Sequence, residues 1–148
     1  MTKQEFVKHA YSAALKSSEQ SGMPARVTVA QAALESNWGQ SALSREASNY
    51  FGIKAHGSQI YVEMSTHECE KGHAIEVKAE FAKYPSMQDC FECRDELILR
   101  GTVYAGARKV TGNEQEFIQE LAKHWATDPK YKEKLEAMLV EVREILEV

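Results

Sequence analysis

Long apolar runs, excess basic charge and paired cysteines are all scarce in this sequence. Apolar residues make up 43% of its 148 positions. No uninterrupted stretch approaches the roughly 18 residues that a membrane span needs. Lys and Arg number 18 against 22 Asp and Glu, a formal net charge of −4. A nucleic-acid module carries a basic stripe, and non-specific attraction to an anionic surface needs positive charge. Neither class fits. The N-terminal "MTKQEFVKHA" is amphipathic and lacks the apolar core and cleavage site of a signal peptide, so an export signal is not expected in the chain as it stands.

Cysteine is the next scarcity. Cys69, Cys90 and Cys93 are an odd count and make no disulfide framework. Cys90 and Cys93 form a CxxC, but a redox pair wants a thioredoxin-like βαβ context, which the sequence lacks. A zinc site would recruit His67, Cys69 or His73, yet no second CxxC accompanies the first. Free or half-buried thiols are the expectation, with no metal and no cofactor. With 8 glycines and 3 prolines, the chain has no collagen-like or disordered character. What remains is one ordinary domain, long enough to bury a real core.

Helical periodicity dominates both ends. Thr2 to Glu5 reads as a capping box, and Phe6, Val7, Ala10, Ala13 and Ala14 follow at helical spacing until Ser21-Gly22. After Pro24, Val27, Ala30, Leu34 and Trp38 fall on one face of a second helix, with Gly39 as its stop. A short helical piece spans 41–47, and "NYFGIKA" reads as loop. The middle switches to period two. Ile60, Val62, Met64, Thr66 and Glu68 share one side of a strand; Ile75, Val77, Ala79 and Phe81 share one side of the next; "CEKGH" turns between them. Helix resumes after Pro85 and runs to about Arg100-Gly101. The segment "TVYAGARKVTG" mixes short helix and turn. "NEQEFIQELAKHWA" is helical, with Phe117 and Trp125 assigned to the core. Asp128-Pro129 is expected to cap a last helix with Leu135, Met138, Leu139, Val142 and Leu146 inward. The expected fold class is α+β: a mostly helical single domain with a β-hairpin lobe.

One residue is out of keeping with its surroundings. In "AALESNWGQS", Glu35 lies about four residues before the helix stop, where the helix dipole presents negative charge. With Trp38 close by, the carboxylate is disfavoured and its pKa should rise. A carboxyl that stays protonated near neutral pH suits a general acid. The competing reading is a solvated surface glutamate. A glycosidase needs a second polar group across the scissile bond. The hairpin offers Glu63, Glu68, Glu70, Glu76 and Glu80, and periodicity does not choose among them. Trp38, Tyr50, Phe51, Tyr84, Trp125 and Tyr131 are the aromatics available to stack on sugars.

The segment "VAQAALESNWGQSALSREASNYFGIKA" resembles the central motif of the family 73 glycoside hydrolases, bacterial cell-wall endo-β-N-acetylglucosaminidases. "MSTHECEKGHAIEVKAEFAKYPS" resembles that family's hairpin and "WATDPKYKEKL" its C-terminal signature. The three segments occur in order and cover most of the chain. The resemblance implies a lysozyme-like fold, with Glu35 as general acid, Glu68 as second carboxylate and Tyr131 as a substrate-positioning tyrosine. It places Asn49, Phe51 and Gly52 along the cleft near the acid; Trp38, an aromatic beside Glu35 in sequence, is a further expected substrate contact. Cys69 stands where the family commonly has an aromatic, and Trp125 where it has a tyrosine. The implied reaction is hydrolysis of the β-1,4 bond after N-acetylglucosamine in peptidoglycan, by a monomer acting outside the cytoplasmic membrane. A lytic transglycosylase or muramidase on the same fold is the alternative, and a non-catalytic glycan-binding scaffold the non-enzymatic one.

Overall fold

A computed structural model describes every residue except Lys71, and the side chains of all but residues 67–71. Helix α1 (Lys3–Ser21) opens with the expected capping box: the Thr2 hydroxyl accepts from Glu5 N, and the Glu5 side chain reaches back to Thr2 N. Helix α2 (Ala25–Ser36) packs between α1 and the last helix, α7 (Tyr131–Leu146). Its burial is the first departure from expectation. Instead of one apolar face, Val27, Thr28, Val29, Ala30, Gln31, Ala32 and Ala33 are all buried in succession. A helix enclosed on all sides requires small side chains to let its neighbours approach, which is why this one is Ala-rich.

Helix α2 also ends earlier than expected, at Ser36 rather than Gly39. Asn37, Trp38 and Gly39 all take left-handed backbone conformations, with φ of 50°, 58° and 78°. Trp38 N donates to Ala33 O at 2.9 Å, Gly39 N to Ser36 Oγ at 2.8 Å and Ser41 N to Ser36 O at 2.9 Å. Gly39 is required twice over: by its positive φ, and because a Cβ there would meet the Phe6 ring at 2.9 Å. The chain then enters α3 (Ala42–Ala47), capped by Ser41.

Strands β1 (Tyr61–Glu70) and β2 (His73–Ala82) form a two-stranded antiparallel sheet. The register pairs Val62 with Phe81, Met64 with Ala79 and Thr66 with Val77. The period-two pattern therefore placed both apolar sets on one face, as the alternation of half-buried and exposed residues confirms. At the base, Ala55 N donates to Glu80 O and Ala82 N to Ile53 O.

Helix α4 (Met87–Arg100), capped by Ser86, leads through a 3₁₀ turn (Thr102–Tyr104) and the short α5 (Ala105–Arg108) to α6 (Glu114–Trp125). Helix α7 starts at Tyr131, so Pro129 is not its first residue. Asp128 instead makes a turn into it, accepting from Lys130 N at 2.9 Å through its side chain and from Tyr131 N at 3.1 Å through its carbonyl. One apolar core joins α1, α2, α4, α6 and α7, with Phe6, Phe91, Phe117, Ile118, Leu121 and Leu135 fully enclosed.

Candidate active site

Glu35 is the penultimate residue of α2, where the enclosed helix leaves the core. As a residue it is exposed, because it opens into a groove of about 370 Å³. Its carboxyl is nevertheless crowded by the groove walls, and that loss of water raises its pKa above the ordinary carboxylate value. The carbonyl end of α2 acts in the same direction. A hydrogen bond from the Tyr131 hydroxyl opposes it without cancelling the shift. The acid proton is thus retained to higher pH than on a solvated glutamate.

The walls of the groove are aromatic. Phe51, Tyr104 and Trp125 line it with Glu35, together with Gly52 and Lys54. Phe51 and Trp125 meet edge to face with centroids 6.2 Å apart, and Tyr104 lies 6.1 Å from Trp125. Phe51 is itself buried, held beneath Trp125 and against Phe91. Half-buried Tyr104 and Trp125 present the accessible ring surface. Such faces suit the apolar CH surfaces of sugar rings, beside a polar group that fixes orientation.

Two expected cleft contacts are corrected. Trp38 does not face the groove. It is 6% exposed, packs edge to face on Phe6 and carries Lys3 Nζ 4.7 Å above its ring. The left-handed residues after α2 turn it away from the acid it neighbours in sequence. Asn49 is also buried and does not line the groove. Its amide donates to Ile53 O at 2.8 Å and Ala82 O at 2.9 Å, while Oδ1 accepts from Phe51 N and Ile53 N. It ties the 49–53 loop to the base of β2, and so holds Phe51 and Gly52 where the groove needs them.

Tyr131 is brought to Glu35, but from behind. It is 4% exposed and its hydroxyl accepts from Gln31 Nε2 at 3.1 Å. Burial and the adjacent Glu35 carboxylate push its own pKa upward, so it remains a phenol. Gln31 Oε1 in turn accepts from Arg94 Nε at 2.9 Å. Arg94 is fully buried; its Nη1 donates to Thr28 Oγ1 and Asp95 Oδ1, both at 2.9 Å, and its guanidinium carbon lies 5.7 Å from the Phe51 ring centroid. The backbone of Glu68 lies in β1; its side chain, expected as the second carboxylate, falls outside the described residues.

Sequence reasoning missed Tyr104, Gln31 and Arg94, and favoured the core for Trp125 over the stacking role it was also offered. Arg94 did carry a signal. It falls on the apolar stripe of α4 with Met87, Cys90, Phe91 and Ile98, and a charge on a buried stripe demands partners. Trp125 is the last residue of α6, beyond the packed turns that bury Phe117 and Leu121.

Other candidate chemistry is thin. A larger cavity of about 540 Å³ adjoins Phe6, Trp38, Arg45 and Tyr50, but no carboxylate among the described residues lines it. Cys90 is buried and its thiol is pushed up to about 12, chiefly by desolvation. Cys93 accepts from the Tyr84 hydroxyl at 3.1 Å. Among the described residues, no three His, Cys, Asp or Glu side chains converge as a metal site, and no helix is long and apolar enough to cross a membrane.

A helical body with a hairpin lobe and a poised carboxyl in an aromatic groove defines the class: a lysozyme-like glycoside hydrolase domain. Within that class, the chain belongs to the glucosaminidase family, described as mannosyl-glycoprotein endo-β-N-acetylglucosaminidase, whose model matches residues 11–144. It is 38% identical over 136 residues to the peptidoglycan hydrolase FlgJ of Salmonella typhimurium, covering 88% of this chain and 43% of that one. It is 36% identical over 118 residues to the exo-glucosaminidase LytG of Bacillus subtilis, covering 76% and 42% respectively. The chain thus spans less than half the length of these relatives. The catalytic domain of the autolysin Auto of Listeria monocytogenes superposes with a TM-score of 0.86 at 29% identity, over 99% of this chain and 88% of that one. A C-terminally truncated glycoside hydrolase domain of the Salmonella typhimurium FlgJ does so with a TM-score of 0.79 at 34% identity, over 97% and 99%.

Proposed function

We propose that residues 1–148 form one catalytic unit that hydrolyses the β-1,4 bond after N-acetylglucosamine in peptidoglycan, with Glu35 as the general acid. The observation that carries this is a single one: a carboxyl with a raised pKa opens into a groove walled by Phe51, Tyr104 and Trp125. Glu35 transfers its proton to the glycosidic oxygen as the bond from the anomeric carbon breaks, and water adds to that carbon. Glu68, the expected second carboxylate, would activate the water or balance the developing positive charge. Peptidoglycan is what FlgJ is named for hydrolysing, and that substrate places the work of this domain outside the cytoplasmic membrane. The unit acts as a monomer and reads glycan through its own groove.

The test is digestion of purified peptidoglycan, borohydride reduction and mass spectrometry of the fragments. N-acetylglucosaminitol at the new ends is the expected result. Muraminitol ends mean a muramidase, and 1,6-anhydro ends, which resist reduction, mean a transglycosylase; either overturns the bond assignment. Glu35→Gln keeps the size of the side chain and removes the proton, so activity should fall by roughly 10²–10⁴-fold. A folded variant that keeps more than about a tenth of the activity overturns the acid assignment.

A further inference from the structure

Behind Glu35 runs a chain of buried side chains that reads in one direction only. Arginine has donors and no acceptor. Arg94 Nε lies 2.9 Å from the side chain of Gln31, which must therefore present its carbonyl oxygen to Arg94. The amide nitrogen of Gln31 then faces the other way, and it sits 3.1 Å from the Tyr131 hydroxyl oxygen. Gln31 offers that oxygen a donor and no acceptor, so the Tyr131 proton turns away from Gln31, toward the neighbouring Glu35 carboxyl. The polarity of all three links follows from the guanidinium at the end. Thr28 and Asp95 hold Arg94 in place, and Asp95 is itself fixed by the hydroxyls of Ser17 and Ser21 at 2.5 and 2.7 Å.

We propose that Gln31 and Arg94 are positioning residues of the reaction: through the Tyr131 hydroxyl they keep the inner oxygen of Glu35 an acceptor, so that its acid proton sits on the outer oxygen, facing the groove. Without that polarity the Glu35 proton has an alternative, a hydrogen bond inward to the Tyr131 oxygen, where no substrate can take it. After proton transfer the same donor stabilises the carboxylate that is left. The inference rests on Glu35 being the general acid.

Gln31→Glu tests it. The replacement is the same size, and its carboxylate still accepts from Arg94, so the buried cation keeps its partner. A carboxylate has no donor, however, and it draws the Tyr131 proton to itself. Glu35 then loses its donor and gains a nearby negative charge. Both effects raise its pKa. The other groups around Glu35 among the described residues are Lys54 and His56 from the loop after Phe51 and Tyr104 from the 3₁₀ turn; they are the same in both proteins and do not contribute to the difference. Activity needs protonated Glu35, so it falls as pH rises through that pKa. The alkaline limb of kcat should therefore move to higher pH in Gln31→Glu, while the maximal kcat drops by about tenfold or more and KM changes little. Gln31→Met, which supplies no donor or charge, should lower kcat with a smaller displacement of the limb.

A second readout separates polarity from packing. Tyr131→Phe should lower kcat in the wild-type background and cost nothing further in the Gln31→Glu background, where the hydroxyl no longer serves Glu35. Circular dichroism and thermal melting establish that each variant is folded. An unmoved limb with additive losses overturns the proposal and leaves Gln31 and Arg94 as packing residues. An active Glu35→Gln variant removes the general acid itself. An inactive Glu35→Gln beside an unmoved limb in Gln31→Glu removes the relay alone.

Discussion

The molecule has two walls, the helical body that carries the acid and the hairpin lobe, and they are built on opposite principles. On the helical side, Glu35 stands at the end of an enclosed helix and is backed by Tyr131, Gln31, Arg94 and Asp95, each held by a named partner. On the hairpin side, β1 and β2 form a sheet of two strands, tied to the body at its base by Ala55 N to Glu80 O and Ala82 N to Ile53 O. Among the described hairpin residues only Ala82, at its base, is buried. The helical wall fixes the direction of a proton to within one hydrogen bond, which requires rigid surroundings. The hairpin needs only to offer a face. Its stability comes from cross-strand pairs, worth a few tenths of a kcal/mol to about 1 kcal/mol each, whereas a buried charge network collapses as a unit when one member is removed.

The largest effect expected from this contrast is on stability, at Arg94. Arg94→Met keeps the volume and deletes the cation, leaving Asp95 buried as an uncompensated carboxylate and Gln31 without its donor. Breaking a buried pair in this way costs roughly 3–5 kcal/mol. Urea unfolding measures it. Since one nitrogen of Arg94, Nη2, has no partner among the described residues, the network is not fully repaid even in the native chain. A loss below about 1 kcal/mol would show that the helical wall tolerates the missing charge and that the two walls differ less than their burial suggests.

Next in size is the function of the hairpin wall. Glu68→Gln removes the charge proposed as the second carboxylate of the reaction. A group that acts in the transition state should lower kcat by about 10²-fold with little change in KM, and with no loss of stability, because a hairpin residue carries none of the core. Turnover on defined glycan chains, with a melting curve beside it, checks both halves. An active variant transfers the second role to the 2-acetamido group of the substrate or to another hairpin glutamate, with Glu63 and Glu70 next in line. A destabilised one makes the hairpin part of the core.

The same contrast explains what the sequence made legible. Caps and period-two alternation are local, and they located α1, α3, α4 and both strands closely. Glu35 stood out because its helix is otherwise small and apolar. Trp38 was misplaced because sequence neighbours diverge in space once Asn37, Trp38 and Gly39 turn left-handed, and no periodicity reports that. Asn49 was expected in the cleft and is instead the tie beneath it. Tyr104 and Trp125 reach the groove from two elements far along the chain from Glu35, and Gln31 meets Tyr131 across 100 positions. Contacts of that separation are products of packing, which no local pattern encodes. The buried stripe carrying Arg94 was the one long-range feature with a local sign.

The smallest expected effect is the sharpest control on the comparison. Lys78 Nζ lies 3.7 Å from Glu63 Oε1 across the hairpin, and the two side chains are 75% and 54% exposed. This pair has the same charges as Arg94 and Asp95, whose side chains are 0% and 4% exposed. The surroundings are the largest difference between them, although the exposed pair is also longer, 3.7 against 2.9 Å. In water the attraction is screened, two long side chains lose freedom in making it, and exposed pairs contribute about 0–1 kcal/mol. Lys78→Ala should therefore change unfolding stability by no more than about 0.5 kcal/mol and leave turnover unchanged. Raising the salt concentration should erase whatever difference is found. Identical denaturant midpoints at high salt, set against the several kcal/mol expected at Arg94, make burial rather than charge the cause of the asymmetry between the walls. A salt-independent loss of more than about 1 kcal/mol at Lys78 breaks the comparison, because it requires this face of the hairpin to be covered, and a covered hairpin is part of the body rather than a wall set beside it.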